Sequence, residues 1–197
     1  SGTVAGDGSL VLNLYYTPDA DALAYHANGG QGTMAATEGV TDQVVEVAAN
    51  GFERAGYAFV GWNTAADGSG QAYAAGAGYA LTAGDDALFA QWTPNDGTAY
   101  TVNHYKVNAA HTAATLDNAE NLNATTDTVV EATAQTIPGY TYQPLFDEND
   151  MKTVASGTVA GDGSLVLNLY YTPDADALAY HANGGQGTMA ATEGVTD

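Results

Sequence analysis

The feature that most constrains this chain is an exact repeat shared by its two ends. Residues 1–42 and 156–197 are identical at all 42 positions, with an offset of 155 residues. Self-similarity at a fixed period is typical of architectures in which small packed units follow one another along the chain. The unique unit is therefore residues 1–155. We expect the chain to be an excerpt from a longer tandem array of this unit.

A second, weaker repeat lies within the 155-residue unit. The sequence TDQVVE at 41–46 returns as TDTVVE at 126–131, and GYAF at 56–59 returns as GYTY at 139–142. These landmarks occur in the same order, which predicts two diverged modules that share one strand plan. The predicted boundaries are: 1–18, the C-terminal strands of a truncated second-type module; 23–93, a first-type module; 100–172, a second-type module; and 178–197, the N-terminal part of a truncated first-type module.

The truncated ends need partners, because an isolated hairpin buries too little apolar surface to be stable in water. Either the ends belong to neighbouring repeats of a longer protein, or they pair with other copies of the chain. Domain swapping is one form of the second alternative, with residues 178–197 replacing residues 23–42 of another molecule.

Alternating apolar residues predict a mainly β fold. In Leu165–Tyr171, the side chains of Leu165, Leu167, Leu169 and Tyr171 share one face, and those of Val166, Asn168 and Tyr170 share the other. An Asp-Gly turn precedes this run, within Ala160–Ser164. Further predicted strands cover residues 43–47, 87–92, 100–105 and 128–133. The best helical candidates, 45–54 and 113–121, are short and poorly patterned, so we expect at most one short helix per module.

Aromatic residues are the main source of core burial in modules of this size. The predicted core aromatics are Tyr57, Phe59, Trp62, Phe89 and Trp92 in the first module, and Tyr140, Tyr142, Phe146 and Tyr170 in the second. The alternative is that these rings form a glycan-stacking surface. We favour the core, because a small module without disulfides needs the rings inside.

Composition excludes several classes of function. The chain has 23 acidic and 3 basic residues, a net charge of −20, and no cysteine. Such a charge repels nucleic acid and anionic membrane surfaces. The apolar runs are much shorter than the roughly 20 residues of a membrane helix, so no membrane insertion is expected in this segment.

The first module resembles a known repeat of bacterial surface proteins. The motifs are LAYHANGG at 23–30, GYAFVGWNT at 56–64, DGSG at 67–70 and LFAQW at 88–92. Together they resemble the internalin-type B repeat, also called the Listeria–Bacteroides repeat. The second module, with TVNHY at 101–105 and SGTVAGDGSL at 156–165, is similar to the MucBP-like (mucin-binding-protein) repeats that often accompany it.

The resemblance implies a β-grasp-like fold, with tandem small β modules arranged as an elongated rod. It also implies an extracellular location on a bacterial cell surface, with wall attachment through regions outside this chain. Both families occur as stalks and adhesins and have no catalytic residues to transfer. We therefore predict no catalytic, cofactor-binding or metal-ligating residues and no enzymatic activity.

Acidic turns are the candidate metal sites. Asp67–Gly70, Asp85–Asp86 and Asp147–Asp150 could offer oxygen ligands to Ca²⁺, but none has the full spacing of a calcium-binding loop. We favour solvated turns.

Two further residue types have possible chemistry. His26, its repeat equivalent His181, His104 and His111 show no metal-binding spacing, and we expect His104 to be a hydrogen-bonded residue of a strand. Lys106 and Lys152 are the lysines considered for an isopeptide crosslink. Lys106 lies on a predicted strand, with Asn168 and Glu131 as residues that could lie nearby. We favour the interpretation that Lys106 is a surface lysine.

The sequence therefore predicts a secreted structural protein that acts as a spacer in adhesion or surface assembly. Its partners would be neighbouring repeats of the same protein and other copies of the chain. The alternative is an adhesin module that binds mucin-type glycans or a host protein directly.

Overall fold

A computed structural model describes residues 2, 6–8, 12–181, 183 and 186–195. These residues form β-strands, turns and loops, and no helix is present among them. The mainly β expectation is therefore confirmed. The fold divides into two compact units: unit 1 comprises residues 1–54 and 59–92, and unit 2 comprises residues 55–58 and 93–197.

Unit 1 is built on a five-stranded sheet with the order β2-β1-β7-β4-β5. Strand β1 is antiparallel to β2 and parallel to β7, and a separate two-stranded ladder joins β3 to β6. The strands are β1 (Ala20–His26), β2 (Thr37–Val40), β3 (Val44–Glu46), β4 (Tyr57–Asn63), β5 (Ala72–Tyr73), β6 (Gly78–Ala80) and β7 (Asp86–Pro94).

The core of unit 1 surrounds Trp62, which is almost completely buried. Tyr25, Phe52 and Phe59 all contact its ring, at centroid distances of 5.0, 6.1 and 5.1 Å. The indole N–H donates to the carbonyl of Ala48, so the buried polar atom of the ring has a partner. The ring thus links β1, β4 and the segment after β3 in one cluster.

Unit 2 is built on a four-stranded sheet with the order β11-β15-β8-β9. Strand β15 is parallel to β8 and antiparallel to β11, and β8 pairs with β9 over ten positions with a bulge at His104/Tyr105. The strands are β8 (Thr98–Val107), β9 (Ala114–Ala124), β10 (Val129–Glu131), β11 (Tyr140–Tyr142), β12 (Asp147–Glu148), β13 (Met151–Lys152), β14 (Ser156–Thr158), β15 (Val166–Pro173), β16 (Ala175–Leu178) and β17 (Thr192–Val195).

Strand β15 contributes buried side chains from both of its faces. Leu167, Leu169 and Tyr171 belong to one cluster with Val102 and Ile137, as the alternation predicts. Tyr170 points to the opposite face and packs with Phe146 in a second cluster. The central strand is therefore the element on which most of the unit 2 core depends.

The two units share one strand plan. In each, the first and last long strands form a parallel pair (β1·β7 and β8·β15), and the first strand is also antiparallel to the second (β1·β2 and β8·β9). Each unit also has a separate short ladder, β3·β6 or β10·β14. The turn residues Asp42 and Asp127 have matching positive φ values of 67° and 65°. The weak internal repeat in the sequence is therefore a repeat of topology.

The C-terminal hairpin repeats the beginning of unit 1. Strands β16 and β17 pair from Ala175↔Val195 to Leu178↔Thr192, which is the register of β1 and β2 displaced by 155 residues. The N-terminal residues 12–19 form no strand and are exposed. The remaining residues of the predicted end segments, 1, 3–5, 9–11, 182, 184–185 and 196–197, lie outside the described residues.

The structure corrects two expectations. The helical candidate at 113–121 is the long strand β9, because its backbone pairs with β8; the candidate at 45–54 contains the end of β3 followed by a loop. Among the predicted core aromatics, Tyr57 and Phe89 lie outside the main cluster, and Phe89 instead stacks on His26 at 4.8 Å. Core aromatics that the sequence did not single out are Tyr25, Phe52 and Tyr79.

Candidate functional site

The turn at Asp67–Gly70 is closed by its own hydrogen bonds. The Asp67 carboxylate accepts from the hydroxyl and the backbone N–H of Ser69, at 2.6 and 3.0 Å. These bonds favour the ionised form and hold the pKa of Asp67 below its usual range. The carboxylate therefore stabilises the turn.

The turn at Asp147–Asp150 joins β12 to β13, with Asn149 and Asp150 at positive φ. Asp147 forms an ion pair with Lys152 at 2.7 Å, and Glu148 contacts the ring of His111 at 3.0 Å. Two of its carboxylates thus face basic side chains. The Lys152 ammonium bonds to Asp147, which raises the pKa of the lysine.

Asp86 is a buried acceptor rather than a solvated turn residue. Its carboxylate accepts from the Tyr79 hydroxyl at 2.9 Å and from the N–H and hydroxyl of Thr82 at 2.7 and 3.0 Å. Burial, assisted by the Asp86 charge, raises the pKa of Tyr79 to about 12. The group fixes the loop between β6 and β7.

The candidate metal ligands are not gathered into one site in the described part of the chain. No group of three or more His, Asp or Glu side chains there is arranged to hold a metal ion. In each of the three acidic turns at least one carboxylate instead forms local hydrogen bonds or an ion pair, namely Asp67, Asp86, Asp147 and Glu148.

His104 is a fully buried ionisable residue of unit 2. It lies on β8 with no exposed surface, and its Nδ1 contacts the Tyr171 hydroxyl at 2.8 Å. Its Nε2 has no hydrogen-bond partner and lies 3.6 Å from Glu120. Burial lowers the pKa of His104, and the nearby carboxylates of Glu120 and Asp117 oppose this shift only in part. His104 is thus a strand residue in which one ring nitrogen, Nδ1, is hydrogen-bonded.

Tyr171 connects this histidine to the rest of unit 2. Its hydroxyl also accepts from the backbone N–H of Gln135, at 2.9 Å. The side chain of Gln135 in turn donates to Glu120. Sequence reasoning missed Glu120 and Gln135, since neither belongs to a motif and both are far from His104 along the chain.

Lys106 contacts Asp117 rather than the expected partners. Its Nζ lies 2.6 Å from the Asp117 carboxylate and 5.3 Å from the centre of the Tyr140 ring. The amide of Asn168 receives a hydrogen bond from Asn103 instead. About a third of the Lys106 side chain is exposed, which is unlike the apolar surroundings that an isopeptide bond requires.

Each unit has an open groove on its surface. The groove of unit 1 has a volume of about 620 Å³, and its lining includes four acidic residues, namely Asp21, Glu38, Asp85 and Asp86. The groove of unit 2 has a volume of about 430 Å³ and includes His111, Phe146 and the exposed Leu145.

The most unusual surface is formed by the segment before β1. Leu12, Leu14, Tyr15 and Tyr16 have exposed fractions of 61%, 76%, 90% and 88%. Their repeat equivalents Leu167, Leu169, Tyr170 and Tyr171 have exposed fractions of 0%, 0%, 9% and 0%. The same five-residue sequence, LNLYY, is thus a core strand at one position and solvent-exposed at the other.

The C-terminal hairpin shows the same contrast for unit 1. Leu178 and Tyr180 are 61% and 45% exposed, whereas Leu23 and Tyr25 are 0% and 8% exposed. The hairpin retains the hydroxyl contact of the original, with Tyr180–Thr192 in place of Tyr25–Thr37. It has the local structure of a first-type module without the packing that β7 provides.

Comparison with known proteins agrees with the assignment of the first module. Residues 22–91 match the Listeria-Bacteroides repeat domain. A protein of Evansella cellulosilytica named "Putative membrane protein" is 29% identical over 126 residues, which cover 56% of this chain. The match spans only 19% of the length of that relative.

A comparison of structures gives a more distant likeness. The crystal structure of Mub-RV aligns with 78% of this chain and 97% of its own, at 12% identity and a TM-score of 0.20. Among the described residues, no helix is long and apolar enough to cross a membrane. Residues 22–91, which form most of unit 1, are thus similar to a repeat domain of bacterial surface proteins.

Proposed function

We propose that this chain is part of an extracellular stalk or filament on a bacterial surface, built from a 155-residue tandem repeat and acting as a structural spacer. The observation that carries the proposal is the repeat of topology at two levels. Units 1 and 2 share one strand plan, and the hairpin β16·β17 repeats β1·β2 in the same register. The match of residues 22–91 to a surface-protein repeat supports the location.

The charge of the repeat suits this role. One period contains 18 acidic and three basic residues, which gives a net charge of −15. Like charges on successive modules repel one another over a screening distance of about 8 Å at physiological salt. An array of such modules would remain soluble and resist collapse onto itself.

The contacts of the acidic residues support a structural role. Asp67 and Asp86 accept hydrogen bonds within their own loops, and Asp147 pairs with Lys152. The buried His104 contacts the Tyr171 hydroxyl and is not among the residues that line the unit 2 groove. These side chains stabilise the modules themselves.

Small-angle scattering of proteins with one, two and three tandem repeats tests the proposal. A module of about 75 residues is roughly 30 Å across, so each added repeat should lengthen the particle by about 60–80 Å. A maximum dimension that grows only slightly with repeat number would contradict a spacer.

The adhesin alternative is tested with the same proteins on a glycan array. Saturable binding of a mucin-type glycan by the single repeat, abolished by Leu145→Asp, would favour direct adhesion. Leu145 is the most exposed large apolar side chain of the unit 2 groove, at 93%. Exposed Val129, at 74%, lies outside the residues that line that groove, so Val129→Asp is the matched control.

A further inference from the structure

The exposed segment Leu12–Tyr16 has the same sequence as a core strand of unit 2. At 167–171 the sequence LNLYY forms most of β15, between β8 and β11. Its register on β8 runs from Leu167↔Val102 to Tyr171↔Lys106. The molecule thus shows which surface this sequence fits.

The fit depends on specific side-chain contacts. Leu167, Leu169 and Tyr171 fill the cluster around Val102 and Ile137. Leu12, Leu14 and Tyr16 have the same side chains at the same spacing. Since alternate residues of a strand share one face, the segment presents the same apolar face when extended.

Polar contacts add specificity to the apolar ones. Asn168 accepts a hydrogen bond from Asn103 at 3.1 Å, and the Tyr171 hydroxyl contacts His104 and the N–H of Gln135. In the exposed segment, Asn13 and Tyr16 offer the same groups. Without such a strand, His104 and the Gln135 N–H would lose their partner inside the unit.

We propose that Leu12–Tyr16 is a donor strand, which completes unit 2 of a second copy of this chain when the β15 of that copy is not in place. In the intact chain the two strands are chemically identical. The resident β15 then prevails because it is tethered to its own unit at high effective concentration. We therefore expect the 197-residue chain to be monomeric while its own β15 is in place, and strand exchange to occur where β15 is lost or disrupted. The inference concerns assembly between chains and holds whether or not the array acts as a spacer.

A set of full-length variants tests this inference. Leu167→Asp with Leu169→Asp disables the resident strand, and Leu12→Asp with Leu14→Asp disables the donor. We expect the variant with a disabled resident strand to associate into dimers or larger species by light scattering. Amide exchange in β8 should stay within about tenfold of the intact protein, because a donor strand covers it.

The quadruple variant is the matched control. It should be monomeric, and amide exchange in β8 should be at least about 100-fold faster than in the intact protein. The donor-disabled variant should behave as the intact chain. The inference is wrong if amide exchange in β8 is equally fast, or equally slow, in the resident-disabled variant and the quadruple variant. A monomeric resident-disabled variant with a protected β8 would also overturn it, because the strand would then come from the same chain.

Disulfide trapping gives a second test, which does not depend on global stability. The chain has no cysteine, so a donor with Asn13→Cys can be mixed with an acceptor carrying Asn103→Cys, Leu167→Asp and Leu169→Asp. Neighbouring strands lie about 4.8 Å apart, within reach of a disulfide. We expect the yield of covalent dimer to be at least about tenfold higher than with a control donor that also has Leu12→Asp and Leu14→Asp. Equal yields from the two donors would refute the inference, and Asn103→Cys with Asn168→Cys in one chain verifies the geometry.

Discussion

Two leucines in identical local sequences should differ sharply in their contribution to stability. Leu23 on β1 is fully buried in the unit 1 core, whereas Leu178 on β16 is 61% exposed. Substituting a buried leucine by alanine removes its transfer free energy and leaves a cavity, at a cost of about 2–5 kcal/mol. A surface substitution changes stability by less than about 0.5 kcal/mol.

Urea denaturation of the full-length chain measures the difference between Leu23→Ala and Leu178→Ala. With a denaturant slope of about 1.5 kcal/mol per molar, a loss of about 3 kcal/mol lowers the midpoint of the unit 1 transition by about 2 M. The unit 1 transition can be followed by fluorescence, since Trp62 and Trp92 both belong to unit 1. Equal shifts for the two variants would refute the argument that packing against β7, rather than local sequence, makes this strand stable.

Further predictions concern ionisable groups and ions. The pKa of Tyr79 beside Asp86 is raised from 10.0 to about 12. Because this tyrosine ionises at lower pH in the unfolded chain than in the folded one, the stability of unit 1 should fall between pH 10 and 12. The Tyr79→Phe variant should not show this fall in alkaline denaturation curves. Burial lowers the pKa of His104, so this histidine is protonated more readily in the unfolded chain. The stability of unit 2 should therefore be highest above about pH 6.5 and should fall on acidification. The His104→Phe variant should show a weaker dependence on pH. Lys106 forms a partly exposed ion pair with the Asp117 carboxylate. Intact-mass spectrometry should therefore give the mass of the sequence, without loss of water or ammonia. A mass deficit of either size would reveal a crosslink. Adding calcium or a chelator should leave the midpoint of thermal unfolding unchanged within about 1 °C. A metal ion shifts this midpoint only if it binds to a site in the native state.

The sequence predicts the strands whose alternation is clear. The run Leu165–Tyr171 places its leucines on one face, and that face fills the unit 2 core. The short motifs shared by the two modules likewise predict a shared strand plan, because turn residues such as Asp42 and Asp127 fix equivalent points of the chain. Local signals were sufficient in these places.

Strand β9 shows where local signals fail. Residues Ala114–Ala124 show no clear apolar alternation, and most of their side chains are exposed. The overlapping segment 113–121 is one of the two weak helical candidates in the sequence. Its conformation is set by the backbone ladder with β8, from Thr98↔Ala124 to Val107↔Ala114. Such pairing is a tertiary effect that overrides weak propensity.

The environment of His104 was also beyond the reach of the sequence. Its position on a strand was predicted, but its partner Tyr171 lies 67 residues away. The Nε2 atom without a hydrogen-bond partner and the bulge after His104 are likewise not indicated by any local motif. Only the fold brings these groups together.

The central claim is that the 155-residue sequence period is also the structural period, and cysteine accessibility tests it most directly. In the 197-residue chain, Leu14→Cys is exposed and should react rapidly with a maleimide, whereas Leu169→Cys should react slowly. When one full repeat is added before residue 1, the added chain supplies the strands equivalent to β8 and β11. Leu14→Cys should then react at least about 100-fold more slowly, at a rate close to that of Leu169→Cys. An unchanged rapid reaction would contradict the account.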